Sequence, residues 1–347
     1  MLRIYKELIA YGADSVMSAH IKQPALSRLV NGRIEDHEIL PGSLSAELNR
    51  GILRERLGFN GLIVTDATQM VGFTASMPRP RAVPTAIANG ADMFMFTINH
   101  GEDVQCMLDG LENGLLSPQR LDEAVTRVLA LKASLGLHRK QAEGSLVPPE
   151  SALEIVRCDE HVKWAADCAD SAVTLVKDRD GLLPISPARF ARIELVVVTN
   201  EDQTRGRSPE VELFKSFLEA EGFDVRYSEA VDHPSEKSTL ADYRKDVDLL
   251  LYYANMKVGS NQTAIRIEWK DFLGSGSPKY VRDIPTIFVS FSNPYHLVDV
   301  PMVPTYVNAY SSNEYVVRAV VEKLAGRSTF KGVSPVDPTC GLWDALL

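Results

Sequence analysis

The sequence predicts an α/β protein with two structural regions. Short, wholly apolar runs alternate with helical patterns along the chain, which is typical of strands covered on both faces by helices. The alternation stops at a polar stretch over residues 138–150, which contains Pro-Pro, and then begins again. A chain of 347 residues also has the length of about two domains. We therefore expect domains over 1–137 and 151–347, joined by a linker over 138–150.

The first region contains three predicted strands separated by helices. Each strand is followed by a polar or charged residue, and the helices end at glycines or at polar pairs. In order, we expect a helix over 3–11, a strand over 15–20, a helix from Ser43 or Ser45 to Gly58, a strand over 61–66, a short helix ending at Asn89-Gly90, a strand over 91–96, and helices over 102–114 and 119–135.

The second region repeats the alternation with more strands. We expect helices over about 151–170, 209–223 and 313–326, and strands over 172–178, 191–200, 223–229, 248–255, 286–291 and 303–310. This pattern predicts an open α/β sandwich of five or six strands.

Composition and charge exclude several classes of function. The chain has 37 basic and 46 acidic residues, a net charge of −9, so it would repel phosphate backbones and anionic lipid surfaces. We expect neither nucleic acid nor membrane as a partner. No apolar run reaches the roughly 18 residues of a membrane span, and Lys6, Glu7 and Asp14 interrupt any signal-peptide core. The sequence therefore predicts a soluble cytoplasmic protein.

Neither a metal ion nor a cofactor is expected. The four cysteines have no Cys-x-x-Cys pair, and the seven histidines have no His-Glu-x-x-His spacing. A carboxylate cluster of the kind that binds metal ions is also not evident. The simplest interpretation is that the cysteines are buried free thiols.

Polar side chains at the carboxyl ends of the predicted strands are the candidates for chemistry. Asp66 follows a buried strand, so its carboxylate should face the cleft at the strand ends, where α/β barrels build their active sites. An equally good interpretation is that Asp66 caps the following turn. His20 also ends a strand, and a hydrogen-bonded structural role is favoured for it. Thr97 and Asn99 follow the third strand.

Other charged residues near these positions have simpler explanations. Asp14 and Asp92 each follow a Gly-Ala pair and are expected to end helices or begin strands. Arg79 and Arg81 lie in a loop near the same rim. A solvated loop is favoured for both over contact with an anionic or hydroxylated substrate.

Several segments together resemble glycoside hydrolase family 3. Residues 53–70 resemble its nucleophile segment, in which a Leu-Gly-Phe turn precedes a strand ending in Ser/Thr-Asp. The other similar segments, in the order of the family, are 12–21 with 24–26, 127–137, 170–185, 289–310 and 330–336. The early segments are more similar to the β-N-acetylglucosaminidase branch than to the β-glucosidase branch.

The resemblance implies a retaining glycosidase with Asp66 as the nucleophile. It also implies contacts between substrate and His20, Met17 and Met70. The expected substrate is an oligosaccharide or amino-sugar glycoside, from which terminal N-acetylglucosamine is released during the recycling of cell-wall muropeptides or the breakdown of chitin. Retention requires a second group about 5 Å away as acid and base. The family's acid histidine lies in a Lys-His-Phe-Pro-Gly-His-Gly segment that has no counterpart here.

The resemblance also implies that the first region is part of a TIM (β/α)₈ barrel. A complete barrel takes about 250 residues and eight strands. Residues 1–137 would supply only the last three βα units, so we expect sequence to be missing before Met1. Residues 151–347 would then be the family's α/β sandwich domain.

Two alternatives remain open at this stage. A β-glucosidase of the same family is compatible with the same motifs. Because no acid is found, the chain is also compatible with a non-catalytic carbohydrate-binding remnant. The oligomeric state is not predicted.

Overall fold

A computed structural model describes residues 2–200, 207–228, 239–259, 265–269 and 277–346. The chain divides into two compact units, Met1–Pro149 and Glu150–Leu347, called here the N-terminal unit and the C-terminal unit. Within the described residues, no helix is long and apolar enough to cross a membrane.

The N-terminal unit places helices around a short parallel pair of strands. Its elements are α1 (Leu2–Ala10), β1 (Ser15–Ser18), α2 (Pro24–Val30), a 3₁₀ turn (Gly42–Leu44), a π-helix (Glu47–Arg56), β2 (Leu62–Thr65), α3 (Val71–Thr74), α4 (Arg79–Ala88), α5 (His100–Glu112), α6 (Pro118–Ser134) and α7 (Leu137–Ala142). Strands β1 and β2 run parallel, with Ser18 beside Thr65 at their carboxyl ends.

The two predicted strands that precede His20 and Asp66 are confirmed as β1 and β2. All four residues of β2 are buried, which explains their wholly apolar or small character. Ile63 packs in one apolar cluster with Leu53, Phe59 and Leu116. The helix predicted from Ser43 or Ser45 is replaced by the 3₁₀ turn and the π-helix.

The predicted third strand over 91–96 is wrong. Beside β2, this segment forms only a single isolated bridge, between Val64 and Met93. Backbone bonds join the amides of Asp92 and Met93 to the carbonyl of Ile63, and the amide of Thr65 to the carbonyl of Met93. Beyond them, side chains take the place of the backbone partners that a longer ladder would need. The amide of Ile63 donates to the carboxylate of Asp92, at 2.9 Å, and the amide of Met95 donates to the hydroxyl of Thr65, at 3.0 Å. Phe96 then leaves the extended conformation, with φ of 55°.

A buried ion cluster surrounds the side chain of Asp92 at the start of this segment. Three guanidinium groups surround the fully buried carboxylate of Asp92. Arg120 Nη2 donates to it at 2.6 Å, Arg127 Nη1 lies 3.4 Å away, and Arg54 forms a close ion pair. Arg120 also donates to the carbonyl groups of Ile87 and Ala91. The cluster thereby joins the π-helix, the end of α4 and α6 to the edge of β2.

The polar stretch between the two units is partly helical. The sequence predicted an irregular linker over 138–150, but α7 occupies its first part. Gly136 ends α6 with φ of 67°, and the amide of Arg139 then donates to the carbonyl of Gly136 to begin α7. The segment has no proline before Pro148, so nothing in its first six residues prevents a helical turn.

Within the residues that the structure describes, the C-terminal unit is built on a six-stranded mixed sheet. Its elements are a 3₁₀ helix (Glu150–Ile155), α8 (Asp159–Ala172), β3 (Thr174–Asp178), β4 (Arg192–Thr199), α9 (Pro209–Ala220), β5 (Asp224–Tyr227), α10 (Leu240–Asp246), β6 (Leu249–Asn255), β7 (Thr286–Ser290), a 3₁₀ turn (His296–Val298), β8 (Thr305–Asn308), α11 (Glu314–Leu324) and a 3₁₀ turn (Trp343–Leu346). The predicted alternation is confirmed, with α8 beginning later than expected because Arg157 has a left-handed backbone.

The sheet of the C-terminal unit has apolar clusters on both faces. Its strand order is β3-β8-β7-β6-β4-β5, and only β3 runs antiparallel to its neighbour. Helices α8, α9 and α11 cover one face, where Phe214, Tyr253 and Phe291 pack together. The other face packs against α10 and the segment before β8. All seven residues of β6 are buried, which fits its central place.

A buried lysine joins α8 and α11 in this unit. The side chain of Lys323 is fully buried, and its Nζ donates to Asp170 Oδ1 at 2.8 Å and to the carbonyl of Thr329 at 2.7 Å. Ser328 and Lys331 also donate to Asp170. The hydrogen bond from Lys323, followed by those from Ser328 and Lys331, holds the pKa of Asp170 well below its usual range.

We expect Asp92→Asn to destabilise the N-terminal unit by about 3–5 kcal/mol, because it leaves buried guanidinium groups without their counter-charge. Urea unfolding followed by circular dichroism measures this loss. The control is Asp122→Asn at an exposed position of α6, where a change within about 0.5 kcal/mol is expected. A loss below about 1 kcal/mol for Asp92→Asn would contradict the role of the cluster.

We expect the stability of the C-terminal unit to fall in acid through Asp170. Since the folded-state pKa is depressed, the stabilisation is complete above the unfolded pKa and is lost as pH falls below it, roughly from pH 5 downward. Asp170→Asn should therefore lower stability at pH 7 and flatten this dependence. All three tryptophans lie in this unit, so their fluorescence during urea unfolding provides the measurement. An equal pH dependence in the variant and the original chain would refute the assignment.

Candidate functional site

Asp66 lies at the carboxyl end of the parallel strand pair. It is the first residue after the buried strand β2, and its amide donates to the carbonyl of Ser18 at 3.0 Å. Its side chain is half-buried, and Oδ1 accepts a hydrogen bond from the amide of Ala67 at 2.7 Å. Two interpretations of Asp66 were made from sequence, as a cap of the following turn and as a carboxylate at the strand-end cleft. Its place is compatible with both, because the carboxylate accepts from the next amide and lies at the strand ends.

The segment that carries Asp66 is tied to its surroundings at several points. We call residues 66–69 the Asp66 loop. The amide of Thr68 donates to the carbonyl of Met95 at 3.1 Å, and the Thr68 hydroxyl donates to the carbonyl of Phe96. Gln69 Nε2 donates to the carbonyl of Thr97 at 2.9 Å. The segment predicted as a third strand therefore supports the Asp66 loop instead of extending the sheet.

His20 supports the Asp66 loop from the side of β1. Its Nε2 lies 2.8 Å from the carbonyl oxygen of Ala67, and its Nδ1 lies 2.6 Å from Ser43 Oγ. A carbonyl only accepts hydrogen bonds, so Nε2 carries the proton, and in the neutral ring Nδ1 accepts from the Ser43 hydroxyl. Both ring nitrogens are used within the protein. This agrees with the structural role favoured from sequence, while contact between His20 and substrate stays a prediction.

Close packing fixes the position of the His20 ring. The ring lies against Phe73, with centroids 5.4 Å apart. Gly72 of α3 approaches the His20 backbone so closely that a Cβ there would lie 2.8 Å from the His20 carbonyl oxygen. The glycine at this position therefore allows α3 to pack on the residue that supports Ala67.

The two methionines predicted to touch substrate lie in β1 and directly after the Asp66 loop. Met17 is the third residue of β1, opposite Val64, and is 49% exposed. Met70 follows the Asp66 loop and precedes α3; its side chain is partly exposed. Their roles toward substrate stay predictions.

Arg79 forms an ion pair that the sequence analysis missed. It begins α4 and makes a two-pronged ion pair with the buried carboxylate of Asp103 in α5. The predicted loop is wrong for both arginines, since both lie in α4. Only Arg81 is solvated as expected. The partners lie 24 residues apart on separate helices, so no short-range pattern connects them. Asp103 stands in the first turn of α5, where acidic residues are common without any partner.

Asp14 and Asp92, the charged residues after the two Gly-Ala pairs, both have structural roles. Asp92 belongs to the buried arginine cluster described above. The backbone carbonyl of Asp14 accepts from the amide of Leu62 at 2.9 Å, next to the first pair of the β1–β2 ladder. Within the described residues, no group of three or more His, Cys, Asp or Glu side chains is arranged to bind a metal ion.

Comparison with known proteins finds similar chains whose names refer to the cleavage of β-glycosides. The chain is 44% identical over 348 residues to a protein of Cellulomonas fimi named "Beta-N-acetylglucosaminidase/beta-glucosidase", covering 99% of this chain and 61% of that protein. A solved structure named "Beta-glucoside phosphorylase BglX" superposes with a TM-score of 0.93 at 56% identity, covering 99% of this chain and 61% of that one. The chain thus spans about three fifths of the length of these proteins.

A more distant solved structure shows the same fold. It is a glycoside hydrolase family 3 β-N-acetylglucosaminidase from Paenibacillus, with a TM-score of 0.70 at 22% identity, covering 96% of this chain and 60% of that one. Residues 1–131, which include Asp66 and all of its supports, match the family model described as "Glycosyl hydrolase family 3 N terminal domain". The part of the chain that contains Asp66 is therefore similar to the N-terminal domain of glycoside hydrolase family 3.

Proposed function

We propose that the chain provides the nucleophile of a retaining β-glycoside-cleaving enzyme, and that this nucleophile is Asp66. The observation that carries the proposal is the place of Asp66: a half-buried carboxylate at a strand end, in a loop fixed on both sides, within the residues that match family 3. A carboxylate held in this way can approach one face of a sugar ring with little conformational freedom left to lose.

The proposed reaction proceeds in two steps. The carboxylate of Asp66 forms a bond to the anomeric carbon while the bond to the leaving oxygen breaks, which gives a covalent glycosyl-enzyme. An acceptor then forms a bond to the same carbon, and the bond to Asp66 breaks, so the configuration is retained overall. The leaving oxygen takes up a proton in the first step, and the acceptor gives up a proton in the second, so the protons balance over the whole reaction. No residue of this chain is assigned as its donor, since the family's histidine segment has no counterpart here.

The proposed substrates are glycosides with a terminal β-linked N-acetylglucosamine or glucose. The sequence motifs favour the amino sugar, and the name of the Cellulomonas relative includes both activities. Both sugars are neutral, which suits a chain with a net charge of −9. Fragments of cell-wall or chitin oligosaccharides supply such ends.

The similarity to BglX favours a second candidate for the acceptor. That structure is named a phosphorylase, and the identity of 56% extends over 99% of this chain. With phosphate as acceptor, an oxygen of the anion would attack the anomeric carbon of the glycosyl-enzyme. The products would be a sugar 1-phosphate and free Asp66, and no water would be consumed.

We expect Asp66→Ala to lower kcat on dinitrophenyl β-glycosides by a factor on the order of 10⁴, because the covalent step is lost. Dinitrophenolate leaves without protonation, so this substrate tests the nucleophile independently of the acid. Both the N-acetylglucosaminide and the glucoside are assayed, with Asp14→Ala as an exposed control. In the Asp66→Ala variant, azide should restore release of dinitrophenolate and yield the α-glycosyl azide.

Turnover that is unchanged in Asp66→Ala would overturn the proposal. Binding of N-acetylglucosamine without turnover in the original chain would instead support a non-catalytic carbohydrate-binding protein. The ratio of the two initial rates identifies the preferred sugar.

We expect inorganic phosphate to raise the rate of dinitrophenolate release and to yield a sugar 1-phosphate, because phosphate is a better acceptor than water in a phosphorylase. Product analysis by ³¹P NMR measures this directly. Sulfate at equal ionic strength is the control. If free sugar is the product at every phosphate concentration, water is the acceptor and the phosphorylase candidate is refuted.

A further inference from the structure

We propose that Arg79 and Asp103 together act as a positioning pair for the Asp66 loop, and that Arg79 acts on the reaction only through Thr68. The inference rests on the proposed function, because the position of the loop matters to catalysis only if Asp66 reacts. It assigns a role to two residues that lie 13 and 37 positions beyond Asp66 in the sequence.

The ion pair fixes the plane of the guanidinium group. Arg79 Nε lies 2.6 Å from Asp103 Oδ1, and Nη2 lies 2.6 Å from Oδ2. Such a two-pronged arrangement sets the orientation of the group as well as its position. Asp103 is 3% exposed, and the amide of Ile98 also donates to it, at 3.3 Å. A buried carboxylate needs these partners, so the pair is held firmly.

Two further N–H groups of the same guanidinium group hold Thr68. Arg79 Nη1 donates to the carbonyl of Thr68 at 3.1 Å, and Nη2 donates to Thr68 Oγ1 at 3.3 Å. The Thr68 hydroxyl in turn donates to the carbonyl of Phe96. Thr68 is fully buried. The guanidinium group thus connects Asp103 in α5 to both the backbone and the side chain of one residue in the loop.

Two consecutive carbonyl groups of the loop are therefore each held by a side chain from outside the loop. His20 binds the carbonyl of Ala67, and Arg79 binds the carbonyl of Thr68. One residue separates Thr68 from Asp66, so a shift of Thr68 would be transmitted to the reacting carboxylate. A misplacement of about 1 Å at a reacting group can lower a rate by about 10²-fold.

The chemistry of arginine is required for this role. Lysine could pair with Asp103 through one ammonium group, but it could not present a planar fork to the carboxylate and also bond the carbonyl and the hydroxyl of Thr68. The Arg79 guanidinium group also lies over the ring of Phe94, 5.7 Å from its centroid. We therefore expect Arg79→Lys to keep much of the stability that the ion pair provides but to lose the hold on Thr68.

The test measures how fast a 2-fluoro sugar inactivates the enzyme. Dinitrophenyl 2-deoxy-2-fluoro-β-glucoside loses its phenolate without protonation and forms a slowly hydrolysed glycosyl-enzyme. Saturation kinetics separate the binding constant of this reagent from the rate constant of the covalent step. The variants are Arg79→Lys and Arg79→Gln. The matched control is Arg81→Gln, two positions along the same helix at an exposed residue.

We expect Arg79→Lys to lower the covalent rate constant at least about tenfold, with the binding constant changed less than about threefold. Its unfolding midpoint in urea should stay near that of the original chain. Arg79→Gln should lower both the rate constant and the midpoint, and Arg81→Gln should change neither. If Arg79→Gln does not fold, Arg79→Lys alone decides the question.

Three outcomes overturn the inference in different ways. If the original chain is inactivated but Arg79→Lys reacts at the same rate, the positioning role is refuted and the proposed function stands. If the original chain neither turns over dinitrophenyl glycosides nor is inactivated, the proposed function fails and the positioning role fails with it. A loss confined to the binding constant would place Arg79 in contact with the sugar and would also refute the inference.

Discussion

The arrangement of the candidate site depends on how the backbone is satisfied just beyond the end of β2. Regular ladder pairing stops at the end of the strand, and the buried carbonyl groups of the residues that follow need other partners. Here His20 binds the carbonyl of Ala67 and Arg79 binds that of Thr68. These two bonds fix the loop at two consecutive residues, and the carboxylate of Asp66 stays half-buried at the strand ends.

The same need for partners explains the irregular segment after Asp92. Asp92, Thr65 and Thr68 bond backbone groups of β2 and of residues 93–96 through their side chains. A regular third strand would have used these backbone groups for ladder pairing. The segment instead lies beside β2 and provides acceptors for the Asp66 loop. The buried arginine cluster around Asp92 holds the start of the segment in place.

Local sequence patterns predicted most helices and strands, whereas contacts between residues distant in sequence hold the Asp66 loop in place. The strands before His20 and Asp66 could be predicted because their apolar runs and their polar ends are continuous in the sequence. Asp66 itself stood out for the same reason, and the family motif around it added its proposed role. The third strand was predicted from an equally apolar run, but its pairing depends on the side chains of Thr65 and Asp92. The pair of Arg79 and Asp103 could not be predicted, since only the packing of α4 against α5 brings them together.

The central claim is that Asp66 forms a covalent bond to the anomeric carbon of a β-glycoside. Mass spectrometry of peptides from the chain, after reaction with a 2-fluoro β-glycoside, tests it most directly. The account predicts one adduct with the mass of the fluoro sugar, located by fragmentation on Asp66 and absent from Asp66→Ala. An adduct on any other carboxylate, or turnover without any adduct in a chain that binds the reagent, would contradict it.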